Sequence, residues 1–302
     1  MRKRRKRLRV GRLLGLLVLM TMTGTVLVGI GQRVVLWAGE WHAQLTGEWE
    51  KDSQKRGAEA KENYSVDTGD TFASEESRAV RENAVIAAFA KEHGLEVGEW
   101  PDKLVELLEK NPDAEEFVLN YPLKKNNVFD IDLSDYENKN SVPLFFQWDE
   151  RWGYTIYGSN VMGLTGCGPT CLSMVCLYLL NDAVYTPRYM ADFAEENGYY
   201  VEGSGSAWTL ISEGGETLGL DVTEISLDEN RMMKNLELGN PIICSMGPGD
   251  FTTAGHFIVL AGCKDGKFVV NDPNSITNSE RLWSYDELKG QIKNLWACRR
   301  PE

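Results

Sequence analysis

Histidine is scarce in this sequence, and so are the cysteine patterns that hold metal ions. Three histidines occur among 302 residues, at His42, His93 and His256. The six cysteines contain no Cys-x2-Cys pair. Because protein zinc sites are built mostly from closely spaced Cys and His ligands, we expect neither a metal site nor a cofactor. A site that needs an imidazole therefore has few candidates.

Basic residues are also scarce once the first 33 residues are set aside. Residues 1–33 hold nine of the 32 Lys and Arg residues and no Asp or Glu. The rest of the chain therefore carries 23 basic residues against 45 acidic ones. Nucleic-acid binding needs clustered Lys and Arg to meet phosphates, so this composition argues against a nucleic-acid partner. An acidic, solvated surface is compatible with a domain outside the cell.

The N-terminal segment reads as a membrane anchor. Eight basic residues precede Leu13, and residues 13–32 carry no charge. Twenty residues at helical rise span about 30 Å, the thickness of the hydrocarbon core of a bilayer. The positive-inside rule places the N-terminus in the cytoplasm and everything after Arg33 outside. A cleaved signal peptide is the alternative, but the long apolar run and the lack of an Ala-x-Ala site favour a retained anchor within residues 1–33.

Two segments of different character follow the anchor. Residues 34–75 are polar and acidic with scattered Gly and Ser, which is typical of a juxtamembrane stalk. Residues 76–140 carry apolar residues at helical spacing as far as Asn120, followed by a charged, Asn-rich stretch. They predict two or three short helices and a linker, and the helices either pack on the next domain or act as a spacer.

Residues 141–302 have the composition of a folded domain and are rich in glycines, aromatics and short apolar runs. Helices are expected first and strands afterwards, which indicates the α+β class. The expected helices are the one that follows Cys167, then 186–197, 208–218 and 286–294. The expected strands are 241–246, 256–263 and 267–271. Lys264-Asp265-Gly266 predicts a hairpin between the last two strands.

Gly166-Cys167-Gly168-Pro169-Thr170 carries the clearest chemical signature in the chain. Pro is favoured at the start of a helix, where its missing N–H costs nothing, and an apolar run at helical spacing follows. The thiol of Cys167 is therefore expected at a helix N-terminus, where the helix dipole and backbone N–H groups favour a thiolate. The flanking glycines let a backbone or a substrate come close. The alternative is a small buried cysteine with no chemical role.

His256 is the one histidine of residues 141–302, so it is the one imidazole that can serve Cys167 as a base. Asp272 comes 16 residues later, at the end of the next expected strand, and hairpin pairing can bring it beside His256. A carboxylate there would orient the imidazole and fix its tautomer. Asn271 and Asn274 are alternative orienting groups. A purely structural histidine and an ordinary Asp-Pro-Asn turn are the alternatives without catalysis.

Gln147 is a candidate oxyanion donor. It lies upstream of Cys167 in Gln147-Trp-Asp-Glu-Arg-Trp152. A side-chain amide in that place can donate a hydrogen bond to an oxyanion together with the backbone N–H of Cys167. A surface amide before a turn is the alternative, and it is the preferred interpretation of this residue when it is taken alone.

These motifs together resemble a known family. Gly-Cys-Gly-Pro-Thr at the start of a helix, an upstream Gln-Trp-Asp-x-Arg-Trp, a later Gly-His-Phe-Ile-Val and an Asn-Asp-Pro occur in the order found in the bacteriocin-processing (double-glycine leader) peptidase-like domains. These domains form family thirty-nine of the papain-like cysteine peptidases, clan CA. The resemblance covers residues 142–300. It implies a papain-like α+β fold, in which a helix carrying the nucleophile packs on an antiparallel sheet. It implies Cys167 as nucleophile, His256 as base, Asp272 as orienting carboxylate and Gln147 as oxyanion donor.

The chain departs from the transporter-linked members of that family in two ways. Gln147 lies 20 residues before Cys167 instead of a few, and no Gly-x4-Gly-Lys-Ser/Thr motif or second apolar span is present. We therefore expect a stand-alone, membrane-anchored extracellular cysteine peptidase that acts on peptides or cell-wall peptides. Transglutaminase-like thiol acyl transfer and a catalytically silent peptide-binding module are the alternatives. The oligomeric state is left open.

Five cysteines remain besides Cys167, so at most two disulfides can form if Cys167 stays free. Cys171 and Cys176 lie on the nucleophile's helix and are expected to be core thiols. Cys263 with Cys298 is a candidate bridge outside the cell.

Overall fold

A computed structural model describes residues 83–301 of the chain. The predicted anchor (1–33), the predicted stalk (34–75) and the first residues of the helical segment lie outside the described residues. Between residues 83 and 301, no helix combines the length and the apolar character that crossing a membrane requires. The expected topology therefore stays a prediction.

Eleven α-helices, most of them short, lie within the described residues. Three precede the domain expected from residue 141: α1 (Ala84–His93), α2 (Asp102–Lys110) and α3 (Glu115–Lys124). The others are α4 (Glu150–Gly153), α5 (Met162–Thr165), α6 (Cys167–Leu180), α7 (Pro187–Glu196), α8 (Gly215–Thr217), α9 (Glu229–Glu237), α10 (Ile276–Glu280) and α11 (Tyr285–Leu288). Single turns of 3-10 helix occur at Val97–Glu99, Pro112–Ala114 and Ser134–Tyr136, and a π-helix at Leu210–Gly214.

Ten strands form one large sheet and two small ribbons in the same part of the chain. The strands are β1 (Ile156–Tyr157), β2 (Asn160–Val161), β3 (Tyr200–Val201), β4 (Gly205–Ser206), β5 (Asp221–Glu224), β6 (Ile242–Met246), β7 (His256–Lys264), β8 (Lys267–Asn271), β9 (Leu282–Trp283) and β10 (Ile292–Arg299). The large sheet has the order β5-β10-β6-β7-β8-β9, and every neighbouring pair is antiparallel. The ribbons pair β1 with β2 and β3 with β4.

Helix α6 begins at Cys167, where the glycine and proline pattern predicts a helix start. Pro169 lies in its first turn, where a backbone N–H has no carbonyl partner within the helix, so proline is tolerated. The helix ends at Leu180 and is capped by Asn181, whose φ of 57° is the left-handed conformation that caps many helices. Eleven of its 14 residues are buried, so α6 runs through the core.

Strand β7 is apolar on both faces because the sheet is covered on both sides. Phe257 and Val259 belong to the core cluster that includes α6. Ile258 and Leu260 belong to a second cluster, which includes Met232 of α9. Successive side chains of a strand point to opposite faces, so β7 contributes to two cores at once. Strand β7 lies inside the sheet, between β6 and β8, and the predicted mixed helix-and-sheet architecture is confirmed.

The helical extension, which we define as residues 83–124, packs against the domain that follows it. Its own core includes Tyr154 and Val161 from beyond residue 141. The indole Nε1 of buried Trp100 donates to the carbonyl of Val118 at 2.8 Å, and the hydroxyl of Tyr154 donates to the carbonyl of Phe117 at 2.9 Å. Large aromatic side chains are thus buried with their polar atoms paired, and this fixes the extension in place.

Two expected helices differ from the structure. The pattern over 286–294 predicts one helix, but α11 ends at Leu288 and β10 begins at Ile292. Strand β10 lies between β5 and β6, so pairing with remote strands decides its conformation. The helix expected over 208–218 is present as a π-helix followed by the short helix α8.

Candidate active site

The glycines beside Cys167 allow neighbouring groups to close around the start of α6. A Cβ on Gly166 would lie 2.6 Å from the carbonyl oxygen of Met162, and a Cβ on Gly168 would lie 2.6 Å from Oγ of Ser206. Both distances are shorter than the contacts real Cβ atoms make. Cys167 itself stays half-buried, so its thiol remains accessible.

The hairpin of β7 and β8 brings His256 and Asp272 together. Its tight turn contains Asp265 and Gly266, whose φ angles of 55° and 72° suit a two-residue hairpin loop. The resulting register carries the chain after β8 back toward the start of β7. Nε2 of His256 lies 2.7 Å from Oδ1 of Asp272, and the two side chains are 7% and 1% exposed. The pairing of β7 with β8, which the sequence predicts, therefore brings His256 into contact with Asp272.

The carboxylate of Asp272 is held by two further donors. The backbone N–H of Asn274 donates to Oδ1 at 2.9 Å, and Nδ2 of Asn278 donates to Oδ2 at 2.8 Å. Asn278 lies in the first turn of α10, and sequence reasoning missed it. Ser275 is the signal that could have found it, because its side chain caps α10 by accepting from the N–H of Asn278.

Neither asparagine offered as an alternative lies in the orienting position. Nδ2 of Asn271 donates instead to the carbonyl of Pro143 at 2.8 Å. Asn274 donates its backbone N–H to Asp272. The side chain that receives the imidazole hydrogen bond is thus that of Asp272.

His256 is held in its charged form. Burial lowers the pKa of His256, but the charge and hydrogen bond of Asp272, with a smaller contribution from Cys167, outweigh it and raise the pKa to about 10. Nε2 of His256 is hydrogen-bonded to Asp272, so Nδ1 is the ring nitrogen available to the thiol of Cys167. At neutral pH the pair is therefore an imidazolium between a carboxylate and a cysteine.

Gln147 is 3% exposed, so the alternative of a surface amide is wrong. Its backbone N–H donates to the carbonyl of Pro273 at 2.7 Å, and its side-chain Nε2 donates to the carbonyl of Gly163 at 2.9 Å. One amide hydrogen remains, and Oε1 is buried without a partner. Gln147 thus ties the turn after Asp272 to the segment that precedes Cys167, despite its 20-residue distance from the cysteine.

A cavity of about 450 Å³ opens beside these residues. Cys167, His256 and Gln147 lie on its wall, while Asp272 is not among the lining residues. Residues of the loops at 203–205 and 251–255 and Lys103 are also part of the wall. Between residues 83 and 301, no group of three His, Cys, Asp or Glu is arranged to hold a metal ion. The described residues of the wall include a thiol, an imidazole, an amine and a side-chain amide.

Four of the other five cysteines are more deeply buried than Cys167. Cys171, Cys176, Cys244 and Cys298 are buried, and burial raises the pKa of each thiol, that of Cys298 to about 12. Cys263 is half-buried, and burial raises its pKa as well. The expectation that Cys171 and Cys176 are core thiols is confirmed.

The candidate disulfide between Cys263 and Cys298 is wrong, because both cysteines are free. Cys263 lies on β7 and Cys298 on β10, and β6 runs between these strands. Two strand spacings amount to roughly 9.6 Å, which exceeds the Cα separation a disulfide can bridge.

Comparison with protein families identifies one that matches this chain. The model of the Peptidase_C39 like family matches residues 139–301, more than half of the chain. A protein named Lon protease from Elusimicrobium minutum (strain Pei191) is 29% identical over 165 residues. That match covers 55% of this chain and 16% of the relative, so the chain spans only a small part of the relative's length.

Two solved structures are similar to parts of the chain. One is the peptidase domain of Streptococcus ComA, a bi-functional ABC transporter involved in a quorum-sensing pathway, with a TM-score of 0.37 and 19% identity over 45% of this chain and 93% of that one. The other is described as a C39-like peptidase from Bacillus anthracis, with a TM-score of 0.37 and 14% identity over 57% of this chain and 98% of that one. On the extent of the family match, the chain belongs to the Peptidase_C39 like family.

Proposed function

We propose that this protein is a cysteine peptidase or amide hydrolase that acts through Cys167, His256 and Asp272, with Gln147 as an oxyanion donor. The observation that carries the proposal is the cavity wall: a half-buried thiol at a helix start lies on it together with an imidazole that is paired with a buried carboxylate. A nucleophile, a base and an orienting group are the three parts that thiol catalysis needs.

Acylation uses the charged state of His256. In this state Nδ1 of His256 already carries a proton, and Cys167 reacts as a thiolate whose sulfur attacks the carbonyl carbon of the substrate. A C–S bond forms, and the carbonyl oxygen becomes an oxyanion that accepts hydrogen bonds from Gln147 and the backbone N–H of Cys167. The imidazolium then protonates the leaving nitrogen, the C–N bond breaks, and a thioester remains.

Deacylation returns the enzyme to its starting state. Water gives a proton to the imidazole and adds to the thioester carbonyl. The tetrahedral intermediate collapses with loss of the C–S bond, the acid product leaves, and the sulfur departs as a thiolate beside the imidazolium of His256. Asp272 holds Nε2 throughout and stabilises the imidazolium each time it forms.

The substrate and the location follow from the sequence. The basic run before Leu13 and the uncharged segment after it support a single-pass anchor, with the catalytic domain outside the cell. A domain so placed meets peptides and the peptide parts of the cell wall. We therefore propose these as the substrate class.

A thiol-directed activity probe tests the proposal on the full-length protein. The probe should label Cys167 near neutral pH, and Cys167→Ala should remove both the labelling and the thiol-dependent cleavage of a peptide library. Cys263→Ala is the matched control, because Cys263 is the other half-buried cysteine and does not lie on the cavity wall. It should leave both activities unchanged.

Three results would contradict peptide hydrolysis. Equal labelling of Cys263 would remove the special reactivity of Cys167. Peptide binding without cleavage would favour the binding module. Products joined to an added amine, in place of free acids, would favour acyl transfer.

A further inference from the structure

The cavity beside Cys167 has a basic wall on an acidic protein. Lys103 and His256 are the basic side chains on its wall, and no Asp or Glu is among the described residues that line it. The chain as a whole has a formal net charge of −13. The carboxylate of Asp272 balances the charge of His256, so Lys103 is the lining cation left to attract an anionic group.

Lys103 belongs to the helical extension and not to the part of the chain that matches the family model, which begins at residue 139. Its helix, α2, is fixed by Leu104, Val105 and Leu108, which are buried in the core that joins the extension to the domain. Nζ of Lys103 donates to Oδ1 of Asn160 at 3.1 Å, just before α5. Packing places α2 beside the cavity, and this exposed hydrogen bond directs the amine of Lys103 toward Asn160 on the cavity wall.

The ammonium of Lys103 has capacity left for a ligand. It carries three N–H donors, and Asn160 accepts from one of them. The ion pairs formed among residues 83–301 do not include Lys103. Glu202 lies close to the cavity wall, but its oxygens accept from the hydroxyls of Ser159 and Tyr200.

We infer that Lys103 forms a subsite for a carboxylate of the substrate. The inference rests on the proposed function, because Lys103 lines the same cavity as Cys167, the residue that attacks the substrate. It gives the helical extension a role in substrate choice: peptides that carry an acidic side chain or a free carboxyl terminus near the attacked bond are preferred. The carboxylate accepts hydrogen bonds from the two remaining donors of Lys103.

Paired peptidyl probes that alkylate Cys167 test the subsite. In each pair one probe carries Glu and the other carries Gln at the same position. In a further pair one probe ends in a free carboxyl group and the other in an amide. The two kinds of pair distinguish a side-chain carboxylate from a terminal one. The wild-type protein should react about fivefold faster with the acidic member of at least one pair, since an exposed charge pair contributes up to about 1 kcal/mol. Lys103→Gln should abolish the preference, and Lys103→Glu should reverse it.

Lys110→Glu is the matched control. Lys110 lies on the same helix, pairs with Glu106 and is not on the cavity wall, so this variant changes the net charge equally and should keep the preference. Equal rates with every pair, or the same loss in Lys110→Glu, would overturn the subsite. Failure of every probe to label Cys167 would instead contradict the proposed function, and the subsite with it. Thermal unfolding of each variant excludes loss of fold as the cause.

Discussion

The side-chain amide of Asn111 donates hydrogen bonds to both the backbone carbonyl and Oδ1 of Asn274, a residue 163 positions later in the chain. Asn111 belongs to the helical extension, and Asn274 lies two residues after Asp272. Nearby, Oδ2 of Asp113 accepts from the backbone N–H of Ile276 at 3.0 Å. The helical extension therefore holds in place the turn that positions the carboxylate of Asp272 next to His256.

Asn111→Ala should lower turnover about tenfold, because the turn loses a buried hydrogen bond worth about 1–3 kcal/mol and Asp272 loses its fixed position. Alkylation of Cys167 should fall much less, since it needs no proton delivery to a leaving group. Steady-state kinetics and labelling rates measured together check this. Asn120→Ala is the control, because its amide bonds only within its own helix, to the carbonyl of Glu116. Equal losses of turnover in Asn111→Ala and Asn120→Ala would contradict the role of Asn111 in positioning Asp272.

The His256–Asp272 pair should make stability depend on pH in a defined window. The pKa of His256 is raised from 6.5 to about 10, mainly by Asp272 acting against burial. Below pH 6.5 the folded protein has the full stabilisation that the His256–Asp272 pair provides. Between pH 6.5 and about 10 the unfolded chain has lost this proton while the folded protein keeps it, so stability falls as pH rises.

Thermal unfolding midpoints measured from pH 6 to pH 10.5 test this dependence. Asp272→Asn should flatten the decline, because the partner that raises the pKa is gone. His93→Gln removes an exposed histidine on α1 and should leave the wild-type decline intact. A decline of equal size in Asp272→Asn would mean that other groups cause it.

Local sequence patterns predicted the parts of the site that depend on the backbone conformation of a few neighbouring residues. Pro169 and its neighbouring glycines located the start of α6, and Asp265-Gly266 located the hairpin that sets the register between His256 and Asp272. Both features depend on backbone conformations that few residue types favour, so the residues themselves reveal them.

Contacts between remote segments were the parts that sequence reasoning missed. Strand β10 pairs with β5 and β6, which lie far upstream, and its register with β6 shifts between Ile292 and Asn294, so alternation in its sequence is a weak signal. Lys103 and Asn111 reach the site from the helical extension through tertiary packing. No spacing in the sequence encodes which loop a distant helix will touch.

Gly168→Ala should destabilise the fold. The new Cβ would lie 2.6 Å from Oγ and 2.8 Å from Cβ of Ser206. Ser206 is buried and hydrogen-bonded to the hydroxyl of Tyr157 at 2.7 Å, so it has little freedom to move away. Overpacking of this kind destabilises by about 1–3 kcal/mol, which chemical denaturation will measure.

Gly290→Ala is the control for that substitution, because a Cβ there meets no atom within 4 Å. Its effect should stay below about 1 kcal/mol. Ser206→Gly should restore part of the stability that Gly168→Ala loses, since it removes the side chain in the way. No recovery in the double variant would show that the strain lies elsewhere.

Gln147→Ala separates catalysis from reactivity. If Gln147 donates to the oxyanion, its loss should lower turnover by about a hundredfold or more, because the remaining backbone donor stabilises the developing charge alone. Alkylation of Cys167 by iodoacetamide creates no oxyanion, so its rate should stay nearly unchanged. The backbone hydrogen bond from Gln147 to Pro273 survives the substitution, which keeps the turn after Asp272 attached. The hydrogen bond from Nε2 to Gly163 is lost, and Gly163 lies four residues before Cys167. If the alkylation rate fell as far as turnover, the side chain would be a support for the cysteine segment and not a donor to the reacting oxygen.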